Sequence, residues 1–222
     1  MPDHRQKKLA RHKKKRASVQ RSHGQPSGSL DDARSQLMHR IVREAPDYSP
    51  GPCFIASTWR DQSTSRVIPV AITRRPVPGH LVMVIYLVDL GCFGLKDAIL
   101  TLPFEEARID EILQNLANSA QASLSTVPIE VASTVIRKAI AWGAKLGFEP
   151  SAEDSELLSF LVAGDVDDLD VPLGRDGKVL YEPDPEEDTR PIVQKLVQQV
   201  GPDGFTVVMP RKPTPDAEAQ DP

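Results

Sequence analysis

Cysteine is nearly absent from this 222-residue chain, with only Cys53 and Cys92. Two thiols cannot build a disulfide framework, nor a zinc site without other ligands. Histidine is equally sparse, at positions 4, 12, 23, 39 and 80, and no His-x-x-x-His or Glu-x-x-His spacing occurs, so no metal and no cofactor is expected. Long hydrophobic runs are missing too. The longest, residues 81–88, falls far short of the roughly 20 apolar residues a membrane helix needs. No apolar segment follows the basic N-terminus, which excludes a secretory signal peptide. A soluble protein of the reducing cytoplasm, with no membrane partner, is the expectation.

What is present is an ordinary globular composition, 40% hydrophobic and 26% charged, with an uneven distribution of charge. Residues 1–21 carry nine Lys or Arg against one Asp, residues 22–150 twelve against thirteen acids, and residues 151–222 six against seventeen. Such a split suggests a basic arm for a polyanion and an acidic, solvated far end. The 20 prolines are roughly twice the usual share, and many lie near the ends and in connections.

Three regions follow. Residues 1–28 comprise "HRQKKLARHKKKRASVQ" and a Ser/Gly/Pro linker; with almost nothing apolar to bury, they are expected to be disordered. Residues 29–210 read as one α+β domain, and 211–222 as a disordered tail. The domain opens with a helix over about 30–44, where Leu30, Ala33, Leu37, Met38, Ile41 and Val42 recur at helical spacing ahead of Pro46. "CFIASTW" (53–59), "RVIPVAITR" (66–74) and "HLVMVIYLVDL" (80–90) read as strands of an antiparallel meander, the third buried on both faces. Pro69 marks the second as an edge or bulged strand. Helices are predicted over 103–119, 128–146, 152–162 and 188–200, a β-hairpin through Asp176-Gly177, and a last strand over 205–209. The fold class is therefore α+β: a mainly antiparallel sheet of about five strands covered by helices, with disordered termini.

"YLVDLGCFGLKDA", "AIAWGAKLGFEP" and "GRDGKVLYEPDP", in that order, resemble a family of uncharacterised bacterial proteins. These open with a Lys/Arg-rich segment and carry a strand motif of the "LVDLGCFGLKDA" type. The resemblance covers about residues 53–209; it implies a shared α+β domain and no assigned activity. The stretch "GDVDDLDVP" is more acidic here than the resemblance would suggest.

The basic arm is the clearest functional signal. Arg5, Lys7, Lys8, Arg11, Lys13, Lys14, Lys15 and Arg16 place eight cations in twelve positions. Such arrays attract phosphate backbones by releasing counterions, and without aromatic residues for stacking they confer affinity with little sequence readout. RNA or a ribonucleoprotein is the favoured partner; solubilisation, an acidic protein partner, or pairing with residues 151–222 are the competing readings.

The second candidate lies in "VDLGCFGLKD". Asp89, Cys92, Lys96 and Asp97 could form an activated nucleophile, since a thiol near a cation has a depressed pKa. No general base is near in sequence: His80 stands at the other end of the same strand, about 33 Å along an extended chain. The simpler reading makes Cys92 buried packing, Gly91 and Gly94 turn residues, and Asp89 or Asp97 the cap of a backbone amide where the strand exits into a helix. A Walker A loop is excluded by spacing and by the missing hydroxyl, and "GDVDDLD" (164–170) fails the EF-hand pattern at its fifth, sixth and twelfth positions. Trp59 and Trp142 are expected in the core. The balance favours a non-enzymatic accessory protein over an enzyme at Asp89/Cys92 or a regulatory module using the acidic C-terminal region.

Overall fold

The computed structural model describes residues 28–63, 66–184 and 187–208. The chain divides into two units at Arg40/Ile41, and the sheet and its covering helices belong to the second. Helix α1 (Gly28–Glu44) spans that division and gives way to a 3-10 turn, Ala45–Asp47, with Pro46 at its second position. Proline has no N–H to continue the helix ladder, so the exit falls where the sequence places it.

The strands of the main sheet are β1 (Ser49–Pro50), β2 (Cys53–Ala56), β3 (Val67–Arg75), β4 (His80–Asp89), β5 (Gly94–Leu100), β6 (Phe104–Glu105) and β7 (Leu124–Val127). They run β5-β4-β3-β2-β7, with β1 alongside β3 and β6 alongside β4, and every pairing is antiparallel. The α+β class and the meander of β2, β3 and β4 are as the sequence predicts. Pro69 sits in an interior strand, yet the β2 pairing ends at Ile55↔Val70, so β3 at Pro69 has β4 alone as partner. The missing N–H is tolerated because the strand is locally an edge.

Several predicted elements differ, among them the helix predicted over 152–162, whose α-helical part ends at Glu156 and continues as a 3-10 turn. The segment after Cys92 is not a helix but strand β5, which folds back on β4 as a hairpin; Lys96 is the extra residue where the register shifts between Leu87↔Asp97 and Val88↔Leu95. Pairing with the largely buried strand β4 outweighs the helix propensity of Leu, Lys and Ala in "GLKDAIL". The helix predicted from Pro103 begins later: β6 and a 3-10 turn (Glu106–Arg108) precede α2 (Ile109–Ala120).

The sheet is covered on both faces. Ile109, Ile112, Leu113 and Leu116 of α2 pack with Phe54, Ala71, Leu81, Met83 and Phe104. Successive side chains alternate faces, so Val82, Val84, Tyr86 and Val88 point the other way, toward α3 (Ile129–Lys145), which lies across β2 to β5. Helix α3 buries Ala132, Val135, Ile136 and Ala139 and ends in a Schellman motif: the Phe148 N–H donates to Gly143 O (2.8 Å) and the Gly147 N–H to Ala144 O (2.9 Å). Gly147 sits at φ +77°, the left-handed conformation that this termination requires.

Beyond α3 come a short helix α4 (Ala152–Glu156), a 3-10 turn (Leu157–Phe160), and a small unit in which β8 (Val179–Tyr181) and β9 (Phe205–Val207) pair in parallel around α5 (Arg190–Val200). Asp176 (φ 50°) and Gly177 (φ 75°) make the predicted tight turn, but only one antiparallel bridge, Arg175↔Lys178, flanks it. β8 takes β9 as its partner instead. No helix among the described residues is long and apolar enough to cross a membrane.

Candidate functional site

Asp89 closes β4, and residues 90–93 turn the chain into β5. Its carboxylate folds back so that Oδ1 accepts the N–H groups of Gly91 (2.8 Å) and Cys92 (3.0 Å). The turn's backbone is bonded outward as well. The Leu90 N–H donates to Arg66 O (2.8 Å), Leu90 O accepts from the Gly174 N–H (2.7 Å), and Gly91 O accepts from the Leu180 N–H (3.1 Å) and the Trp142 indole (3.2 Å). One turn thus ties together the residue that leads into β3, helix α3, the loop before β8, and β8 itself. Gly91 is required by this crowding: a Cβ there would lie 2.5 Å from Leu180 O.

Cys92 points into an apolar cluster with Phe93, Leu146, Phe148, Val179, Tyr181, Ile192 and Leu196. Burial pushes its thiol far above the ordinary range, and the Asp89 carboxylate pushes the same way against a smaller pull from Lys96. A nucleophilic cysteine needs the opposite. Burial also raises the Asp89 carboxyl, against the N–H groups of Cys92 and Gly91 and the charge of Lys96. Lys96 itself places Nζ 5.4 Å from the Phe93 ring centroid, on the β-bulge. The structure therefore brings Asp89, Cys92 and Lys96 together, but as a packed turn beside an apolar cluster. His80 remains at the far end of β4.

Two buried arginines escaped the sequence reading. Arg66, 1% exposed, donates to the carbonyl oxygens of Asp61 (3.0 Å), Trp59 (3.4 Å) and Pro172, and its Nε has no partner among the described residues. Burial lowers its pKa, with Arg175 adding to the effect and Asp89, Glu182 and Asp61 opposing it. Arg74, 3% exposed, holds Phe160 O through Nε (3.1 Å) and Nη2 (2.7 Å), and Tyr48 O through Nη1 (3.1 Å). Both guanidinium groups cross-link loops through carbonyl oxygens. The one available signal was position, since each flanks the apolar run of β3.

The acidic segment 164–170 is strapped to α3. Arg137 donates to Val162 O (2.6 Å), Gly164 O and Asp165 Oδ1 (2.7 Å), Lys138 donates to Leu169 O (2.6 Å), and the Val166 N–H donates to Thr134 Oγ1 (2.9 Å). Among the described residues no group of three or more His, Cys, Asp or Glu could hold a metal. Trp59 is buried as predicted, whereas Trp142 is half-buried. Arg5, Lys7, Lys8, Arg11, Lys13, Lys14, Lys15 and Arg16 lie outside the described residues.

An open groove of about 800 Å³ lies between α2 and β7. Its walls carry Leu113, Gln114, Asn118, Leu124 and Thr126, with Asp110 as the charged group. Amides and hydroxyls over an apolar floor suit neutral chain or backbone rather than phosphate, which would call for cations. No family model, no curated protein and no solved structure matches this chain.

Proposed function

We propose that this protein is a non-enzymatic accessory factor that docks on RNA or a ribonucleoprotein through its basic N-terminal arm. The observation that carries this reading is the array of eight cations between Arg5 and Arg16, attached to a chain whose remaining charge is strongly negative. Its binding is dominated by phosphate contacts and carries little sequence preference. The folded domain acts as carrier rather than catalyst. The polar groups of its most distinctive motif hold a turn in place, and both free thiols, Cys53 and Cys92, are buried. Two unpaired buried thiols suit the reducing cytoplasm as the working compartment.

The test compares the full chain with a form lacking residues 1–21, titrating a fluorescent structured RNA at several salt concentrations. The full chain should bind with an affinity that falls steeply with salt, each phosphate contact contributing about 0.7–0.9 to the log–log slope. Removing the arm should abolish most of both the affinity and the slope. Unchanged binding after deletion would reject the proposal. So would arm-dependent capture of an acidic protein with no RNA bound.

A further inference from the structure

The two edges of the main sheet are finished differently. At the β5 edge, the Ala98 N–H is capped by Asp154 Oδ1 (2.9 Å), and the strand itself carries Lys96 and Asp97. Among the described residues the β7 edge has no such device. Its side chains are Leu124, Ser125, Thr126 and Val127, within an uncharged stretch spanning residues 112–129 in a chain that is 26% charged. Natural proteins protect exposed edges with charge, proline or a cover, because open N–H and C=O groups recruit another strand.

The register shows which groups are open. β7 pairs with β2 as Cys53↔Val127, Phe54↔Thr126, Ile55↔Ser125 and Ala56↔Leu124, and the ladder continues with the Ser57 N–H donating to Ser123 O (2.9 Å). Hydrogen-bonded pairs alternate in an antiparallel ladder, so Ser123, Ser125 and Val127 direct their backbone groups toward β2. Leu124 and Thr126 direct theirs outward, and these four groups have no hydrogen-bond partner among the described residues.

We infer that β7 is a self-association edge: two copies of the chain pair antiparallel through β7, with the two-fold axis at Ser125, into one continuous sheet. In that register Leu124 faces Thr126 of the second copy, and the reverse. Four hydrogen bonds then satisfy every outward N–H and C=O of both strands. Ser125 meets its own symmetry mate across a close, non-hydrogen-bonded pair, and Leu124 and Thr126 form cross-strand pairs on the groove side. Charge favours this occupant. An uncharged surface meets itself without repulsion, whereas a basic or acidic partner would find only Asp110 along the groove. The inference is independent of the arm and its RNA.

Sedimentation equilibrium of the full chain over a wide concentration range tests it, with Ser125→Lys, Ser125→Glu and Thr126→Pro as variants. The native chain should show a reversible monomer–dimer equilibrium that responds little to salt. Each Ser125 variant sets like charges opposite each other at the axis and should weaken self-association by about tenfold or more, and mixing the two should restore a mixed dimer. Thr126→Pro removes an outward donor and should weaken it similarly, with a circular dichroism spectrum unchanged from the native chain. A native chain that stays monomeric at every concentration would overturn the inference, as would a dimer that tolerates Ser125→Lys and Ser125→Glu separately.

Discussion

The Asp89 carboxylate accepts the Gly91 amide at 2.8 Å, two residues further along the same chain, and so locks the exit of β4. A buried acid whose pKa is raised binds its proton more tightly in the folded than in the unfolded state. As pH rises from the unfolded value toward the folded one, the unfolded chain has lost its proton and the folded one has not, so stability falls. Asp89 therefore contributes stability that is lost as pH climbs above about 3.8, the ordinary value for this group, until the folded carboxyl ionises. Asp89→Asn keeps an acceptor oxygen and should flatten that dependence. Asp89→Ala leaves two buried N–H groups without their acceptor and should cost about 1–3 kcal/mol at every pH. Urea midpoints measured across pH 3–7 check all three.

Gly143 opposes intrinsic propensity to packing. Alanine is the better helix former by about 1 kcal/mol. A Cβ at this position would overlap the Phe93 carbonyl, with its carbon only 2.8 Å away, so backbone must move against backbone. Overpacking typically costs about 1–3 kcal/mol. Gly143→Ala should therefore be destabilising, as measured by chemical denaturation, and a stabilised variant would show that α3 can shift away from the turn.

Arg74 joins β3 to the segment around Phe160. Replacing it by Ala strands the Phe160 and Tyr48 carbonyls and removes a long buried stem, at an expected cost of several kcal/mol. Arg74→Lys cannot reproduce the fork on Phe160 O and should recover only part of that loss. Thermal unfolding of the two variants beside the native chain decides the order.

Cys92 should react slowly with a thiol reagent in the native protein, since its pKa is raised and its side chain lies in the apolar cluster. The rate should rise steeply with denaturant and follow opening of the fold. Rapid labelling without denaturant, measured in a Cys53→Ala background, would reopen catalysis at this turn.

Local chemistry alone determined a good part of this molecule. β3 and β4 were legible in their β-branched runs, α3 in its apolar stripe ending at Gly147, and the turn at Asp176-Gly177 in its dipeptide, because each depends on neighbours in the chain. The motif at 84–98 was recognisable but ambiguous. Its Asp, Cys and Lys have the same spacing whether they face solvent or an apolar cluster, and burial is a property of what packs on top. Tertiary structure decided that, and with it the raised Asp89 and Cys92 pKa values. It also made β5 a strand, through pairing with β4, and brought β8 to β9 in parallel across α5. The edge position of β7 could not be read from "LSTV" by any periodicity: an edge exists only once the order of the described strands places none beyond it.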